Sequence, residues 1–541
     1  MSGSGPTREQ RAQGVFWVGL LLSLLICMLP VLSDPTRIVL GSPAGEASTH
    51  IFGLLSGFES PGLRVSSLAN FPQGLRSDLA DPINLIWLWP GKIWGLRGAA
   101  VGWNLLCAST LLLAGWGGFR LGRQLHPSTP EAATVLGLAL ACSPYLQGVA
   151  FSSGRSEYWA WAWLALVLSW TLSALRKPSG LGIARAALGF MALALSGWQP
   201  LIFGGMVLLP ALFLISGKLP KWPLVPMASL AAVAAGVLLF QHLSADPWWI
   251  RRIVSEEVVA APAHLAELWP DTPSGQIGDR LMLPGALLLM LAAGGMARQK
   301  GWAALALTLG LLALGPAIGM GEHILPGPAA LLAPLPILGG LSGWSRLALV
   351  GVLPLAVLAA EAVARLQPRL GAWVLLLAIP LLIEGAAIRP ELPASHFISS
   401  SEPTLDYALV RSPPGAILEL PSAPIGLSLD KETLRDRALL QTISHGRASS
   451  LVSSPEPTNA WLVSPLLFAL DHRESLKAVD CSTQPQLTRA GFALLLLHRD
   501  WMGSSRADHA ERILRAQHGA PVKEGPGWAM FLAAGQGPGG C

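Results

Sequence analysis

The chain has 541 residues, 52% of them hydrophobic and only 13% charged, with a mean hydropathy of +0.50. Soluble domains carry about 25% charged residues, so these values exclude an ordinary soluble enzyme and indicate a polytopic membrane protein, whose apolar runs recur at spacings that cross about 30 Å of hydrocarbon. The net charge of +5 arises from Lys and Arg gathered in short loops, a pattern of positive-inside topology rather than of nucleic-acid binding.

Residues 1–13 are polar, with Arg8 and Arg11 ahead of the first apolar run, Gly14–Ser33. A signal peptide would need a small-residue cleavage site close behind the run, and no A-x-A follows. The expectation is an uncleaved first span with its amino end in the cytoplasm. An outer loop, 34–97, comes next, reading SDPTRIVLGSPAGEASTHIFGLLSGFES and then LANFPQGLRSDLADPINLIWLWP. Glu46 and His50 are four apart, so on a helix they share one face. Ile51, Phe52, Leu54, Leu55 and Phe58 make that helix amphipathic. Asp81–Gly95 is apolar, Trp-rich and too short to span, which suits an interfacial or re-entrant helix. With 21 Trp against 3 Tyr, interfacial anchoring falls to tryptophan.

Further spans are expected at Gly98–Arg120, Glu131–Ala150, Tyr158–Leu175, Ile183–Trp198, Leu201–Ser216 and Leu224–Ser244. An outer loop, Ala245–Arg280, holds DPWWIRRIVSEEVV. Leu281–Ala297 and Trp302–Met320 follow. GEHILPGPAALLAPLPILGG is interrupted by four prolines and is expected to form an outer half-helix, because broken backbone at membrane depth needs protein or a cavity around it. Ser345–Leu366 and Gly371–Ala387 complete about eleven transmembrane helices. Every even-numbered span ends in a Lys/Arg-bearing loop, while Glu46, Asp78, Asp81, Glu157, Asp246, Glu256, Glu257 and Asp271 fall on the other side.

From about Pro393 charge returns and turn residues separate short apolar runs. GAILELP and FALLLLHRD are expected strands, and RADHAERILRAQHG an amphipathic helix with a glycine stop. Residues 1–392 thus form a polytopic α-helical membrane domain, and 393–541 an extracytoplasmic α/β domain of about 145 residues, an ordinary domain size. His498 and Arg499 end a strand and suit a strand edge. Cys27, Cys107 and Cys142 sit in apolar runs as small hydrophobes; Cys481 and Cys541 lie in the tail, where a disulfide is weakly indicated.

The ionisable groups of the outer loops each carry two readings. Glu46 is a general base or a first-turn carboxylate at a helix amino end. His50 orients it, binds an acceptor, or is an interfacial polar residue. Asp81 lines a cavity or caps the helix that opens at Pro82. Glu157 is functional or likewise suits a helix start. Arg251 and Arg252, beside two tryptophans, suit a lipid phosphate or headgroup anchoring. Arg346 opens a span on its outer side and either meets a phosphate or snorkels. Glu322 and His323 flank the broken segment, as cavity lining or rim.

The order of these features resembles the GT-C superfamily of integral-membrane glycosyltransferases: a first helix, an outer loop with Gly-acidic and a His four later, then NFPQG and DPIN. It is more narrowly similar to the bacterial GT-C-like group that includes YfhO-type membrane proteins. SSGRSEYWAWAWLAL, ILPGPAALLAPLPILGGLSGWSR, EGAAIRPELP and GAILELP extend the match along nearly the whole chain. The resemblance implies a bacterial inner-membrane enzyme taking a sugar from a polyprenyl-phosphate donor to a glycan, lipid or protein acceptor outside the cytoplasm. It implies Glu46 as base or as ligand of a divalent cation (Mg or Mn), Glu157 as a second acid, and Arg346 near the carrier phosphate. The chain departs from the pattern in carrying Glu46 where many relatives carry aspartate, with no adjacent acidic pair. Two other functions compete. A lipid-linked glycan transporter would call for midplane ionisable groups or paired broken helices. A non-catalytic accessory protein of envelope glycan assembly would keep the scaffold alone.

Overall fold

The computed structural model describes residues 7–41, 47, 50–51, 65–66, 75–76, 82–154, 156–217, 222–245, 263–264, 284–320, 323–332, 344–387, 395–397, 403–420, 487–502 and 504–534. The chain divides into two compact units. The first comprises Met1–Ala47, Leu79–Trp87 and Val101–His396; the second comprises Ser48–Asp78, Leu88–Ala100 and Phe397–Cys541.

The first unit is helical. Helix α1, Arg8–Met28, opens on a capping box in which the Thr7 hydroxyl accepts from Gln10 N and Thr7 N donates to the Gln10 amide, satisfying two otherwise orphaned donors. Helix α2, Leu85–Leu125, of which Leu88–Ala100 belongs to the second unit, would be about 60 Å long if straight, twice a bilayer core. It breaks at Gly95 (φ 60, ψ −141), which separates the Trp-rich amphipathic piece from the span, as the sequence divides them. Helix α3, Pro130–Ala141, follows. α2 and α3 meet through small residues: a β-carbon on Gly118 would lie 2.9 Å from Gly137 Cα, and one on Gly122 2.6 Å from Ala133 Cα. Gly118/Gly122 and Ala133/Gly137 are thus paired small-xxx-small faces, which let backbones approach where the hydrophobic effect gives no drive between helices.

The chain continues through a π-helical segment, Tyr145–Ala150, a short turn to Gly154 and a 3₁₀ helix, Ser156–Trp163. It then runs through α4 (Leu164–Arg176), α5 (Gly180–Leu195), α6 (Trp198–Ser216), α7 (Leu224–Ala245), α8 (Ala286–Met296), α9 (Lys300–Ala313), α10 (Leu347–Leu370) and α11 (Ala378–Ala387). Among the described residues three stretches are long and apolar enough to cross a membrane alone, Arg8–Val31, Ile86–Leu125 and Trp344–Glu384; Gly180–Leu195, Pro200–Ser216, Leu224–Gly236, Ala286–Met296 and Lys300–Ala313 are shorter apolar helices. α1 keeps Phe16 and Leu20 buried while Trp17, Val18, Leu21 and Leu25 stay exposed, an apolar face suited to lipid.

The broken segment before α10 differs from expectation. Ala317–Met320 and His323–Pro326 form an antiparallel hairpin, and Pro328–Leu332 a 3₁₀ turn, so neither the end of the ninth run nor the start of the expected half-helix is α-helical. Prolines at 326 and 328 remove the amide donors a helix needs, and the two strands pair instead. Ala263–His264 adds a parallel strand to this hairpin.

One end of the bundle holds buried acids that composition conceals. Glu131, fully buried, takes a two-pronged ion pair from Arg8 at 2.6 and 2.7 Å. Glu361, near the end of α10, faces Gln299, Arg365 and Arg298 at 3.2, 3.5 and 3.8 Å. Burial pushes His126 below its ordinary value, against the opposing pull of Glu361.

In the second unit four strands lie in the order Lys523–Gly525, Trp528–Leu532, Phe492–His498, Ala416–Leu420. The last pair is parallel and the others antiparallel. Alternation sorts their side chains to two faces. Ile417, Leu494, Leu496 and Met530 pack with Leu405 and Leu409 of the helix Pro403–Val410. Leu418, Leu495, Leu497 and Phe531 pack with Ala510 and Leu514 of the helix Ser504–His518. That helix ends at Gly519 (φ 82), the left-handed stop glycine allows. His498 lies on an inner strand, not an edge, because Ala416–Leu420 and Trp528–Leu532 flank it; its Nε2 is 2.6 Å from the buried Glu419 carboxylate.

Candidate active site

Candidate side chains at several positions lie outside the described residues: Glu46, Asp81, Arg251, Arg252 and Glu322. Glu157 stands in the 3₁₀ helix and His323 on a strand, with only their backbone described. His50 is helical and half-buried, and its helix neighbours Ala47 and Ile51 are fully buried; Phe52, Leu54, Leu55 and Phe58 of the expected amphipathic face lie outside the described residues. Arg346 is 7% exposed, at the start of α10. Its side chain is therefore enclosed by protein.

Described neighbours of Glu46, Asp81, Glu157 and Arg346 converge within the first unit. Ala47, directly after Glu46, packs on Gly154: a β-carbon there would lie 2.7 Å from both Ala47 Cα and Cβ. Gly154 is left-handed (φ 67), so glycine is required twice over, by backbone and by space. Three residues on is Glu157. The Asn84 amide, three residues after Asp81, donates to Ser156 O at 3.3 Å. The first outer loop, the start of α2 and the Glu157 turn therefore meet.

Aromatic rings carry the contact on to Arg346. The Trp161 ring is 6.0 Å from Phe203, and Phe203 is 6.1 Å from Trp344, within the range of favourable ring pairs. Trp161 Nε1 donates to Pro200 O at 3.3 Å. Trp344 opens the 3₁₀ turn Trp344–Arg346 and lies beside Gly315, whose carbonyl accepts from Ala329 N at 3.1 Å. The hairpin bearing His323 is thereby tied to the same place, and with it strand Ala263–His264 from the loop that contains Arg251 and Arg252. Trp161 also lines a pocket of about 30 Å³ with Ser143, Leu146, Ala165 and Leu353. That is room for about one water.

Sequence reasoning missed the tryptophans that join these segments. Their signal was present in EYWAWAW and GWNLL, but a tryptophan in an apolar run equally suits core or membrane interface. Among the described residues no three His, Cys, Asp or Glu side chains gather to hold a metal ion.

No protein-family model and no curated protein sequence matches the chain. Solved structures do. A mutant form of the arabinofuranosyltransferase AftD from mycobacteria superposes with a TM-score of 0.54 at 18% identity, covering 99% of this chain and 42% of that one. A further AftD structure gives 0.53 at 17% identity, covering 98% and 40%. ArnT from Cupriavidus metallidurans in the apo state gives 0.49 at 11% identity, covering 96% and 98%. The chain spans about two fifths of the AftD structures it matches. The GT-C resemblance is thus borne out as a likeness of fold.

Proposed function

We propose that the chain is a membrane glycosyltransferase that moves a sugar from a polyprenyl-phosphate donor to a glycan, lipid or protein acceptor outside the cytoplasm. The carrying observation is the convergence of the segments bearing Glu46, Asp81, Glu157 and Arg346. They meet away from the end that gathers Arg8, Arg123, Arg298 and Arg365. By the positive-inside rule that basic end faces the cytoplasm and the site faces outward. About eleven spans, an amino terminus inside and the carboxyl-terminal α/β module outside complete this topology. The fold shared with AftD supports the reading.

Glu46 takes the proton of the acceptor hydroxyl as its oxygen bonds to the anomeric carbon. The bond from that carbon to the phosphate oxygen breaks, and polyprenyl phosphate leaves. Arg346, buried beside Trp344, meets the departing charge where water is scarce and a guanidinium acts most strongly. Turnover then survives EDTA; loss restored by Mg or Mn would give that task to a metal at Glu46 instead. The test is purified protein with a panel of farnesyl-phosphate sugars. Glu46→Gln should abolish release of farnesyl phosphate while the protein still inserts, and a variant of full activity would remove Glu46 as base. A wild type inert toward the whole panel would favour the accessory-protein role.

A further inference from the structure

We infer that Trp103 and Asn104 are positioning residues that lock the first outer loop and the Glu157 turn into one frame; this rests on the transferase reading above. Strand Ile38–Leu40 is only three residues long, and its buried backbone groups need partners. Beyond the pairing of this strand in a two-stranded sheet, helix α2 supplies further partners from two adjacent side chains. Asn104 Oδ1 accepts from Leu40 N at 3.2 Å, and Nδ2 donates to Ile38 O at 2.7 Å and Pro35 O at 3.3 Å. A buried amide in an apolar helix is costly unless satisfied; here all three of these bonds go to the outer segment.

Trp103, fully buried, donates from Nε1 to Leu40 O at 2.8 Å. Its ring meets Trp159 edge-on at 4.7 Å. Trp159 in turn donates to Ala150 O at 3.1 Å and packs on Phe151 at 5.5 Å. One indole of the pair holds the strand that runs through Gly41 toward Glu46. The other sits two residues after Glu157 and holds the backbone entering the Gly154 turn. The pair is thus a bracket between the two loops that carry the expected carboxylates, acting through them rather than on the reacting atoms.

The test is hydrogen exchange together with kinetics on the full chain in detergent. Trp103→Phe keeps a ring against Trp159 and removes the indole donor. Exchange should rise at Val39 and Leu40 and also, across the bracket, at Phe151–Ser156. With whichever farnesyl-phosphate sugar turns over, kcat should fall about tenfold with KM within about twofold, an unaligned site rather than an unoccupied one. Trp103→Phe combined with Trp159→Phe should lose little more than either alone, because coupled residues do not add. Exchange that rises only at Leu40, or a loss confined to KM, would overturn the proposal. If Trp103→Phe fails to insert, Asn104→Asp, which keeps the acceptor and loses the donor, is read the same way. Failure of every sugar to react would sink the transferase reading, while the exchange pattern would still judge the bracket.

Discussion

Gly154→Ala tests the meeting of the two loops with one carbon atom. At φ 67 an alanine costs about 1–2 kcal/mol in backbone conformation. Its methyl would also lie 2.7 Å from Ala47 Cα and Cβ, where carbon contacts settle at about 3.5–4.0 Å. The obstructing atoms are Ala47 backbone and its β-carbon, so no side chain can swing away; the segment itself must retreat by about 1 Å. A misplacement of that size costs about 100-fold in rate. The variant should therefore insert, melt a few degrees low and turn over about 100-fold more slowly. Gly205→Ala, whose added methyl would meet nothing within 4 Å, should leave turnover unchanged. Release of farnesyl phosphate by purified protein measures both. Gly154→Ala within about threefold of wild type would refute the claim that this contact aligns the site.

Two further outcomes follow from buried ionisable groups. Arg8→Met leaves the fully buried Glu131 carboxylate unpaired, though the Arg8 side chain is itself 40% exposed, and should destabilise by about 1–3 kcal/mol; adding Glu131→Gln should recover most of it, read by thermal melting in detergent. Burial holds His518 below its usual 6.5, so the unfolded chain takes up that proton first. Stability of the four-stranded sheet should be flat above about pH 7 and fall as the pH drops below 6.5. Exchange at Trp528–Leu532, corrected for its intrinsic pH dependence, should show the fall and lose it in His518→Gln.

Much of the helical order was legible because apolar length and basic loops are local signals. Leu85–Leu125 breaks at Gly95, where the pattern separated an amphipathic piece from a span. The helix ending at Gly519 was legible for the same reason. The hairpin Ala317–Pro326 was not: an apolar run of this length suits strand or helix alike, and pairing between its two strands decided it. Glu131 and Glu361 were passed over because their partners come from far along the chain, Arg8 being 123 residues from Glu131. The candidate site was legible as a set of outer-loop charges. Its joinery was not, since Trp103, Asn104, Trp159 and Trp344 differ from other membrane-interface residues only in what the fold brings against them.

In the proposed reaction a lipid phosphate sits beside Arg346. A cryo-EM structure with farnesyl phosphate measures this directly. Phosphate oxygens are expected about 3 Å from the Arg346 guanidinium, on the side of Ala47 and Gly154. Phosphate density at the opposite end, among Arg8, Arg123 and Arg365, would contradict it.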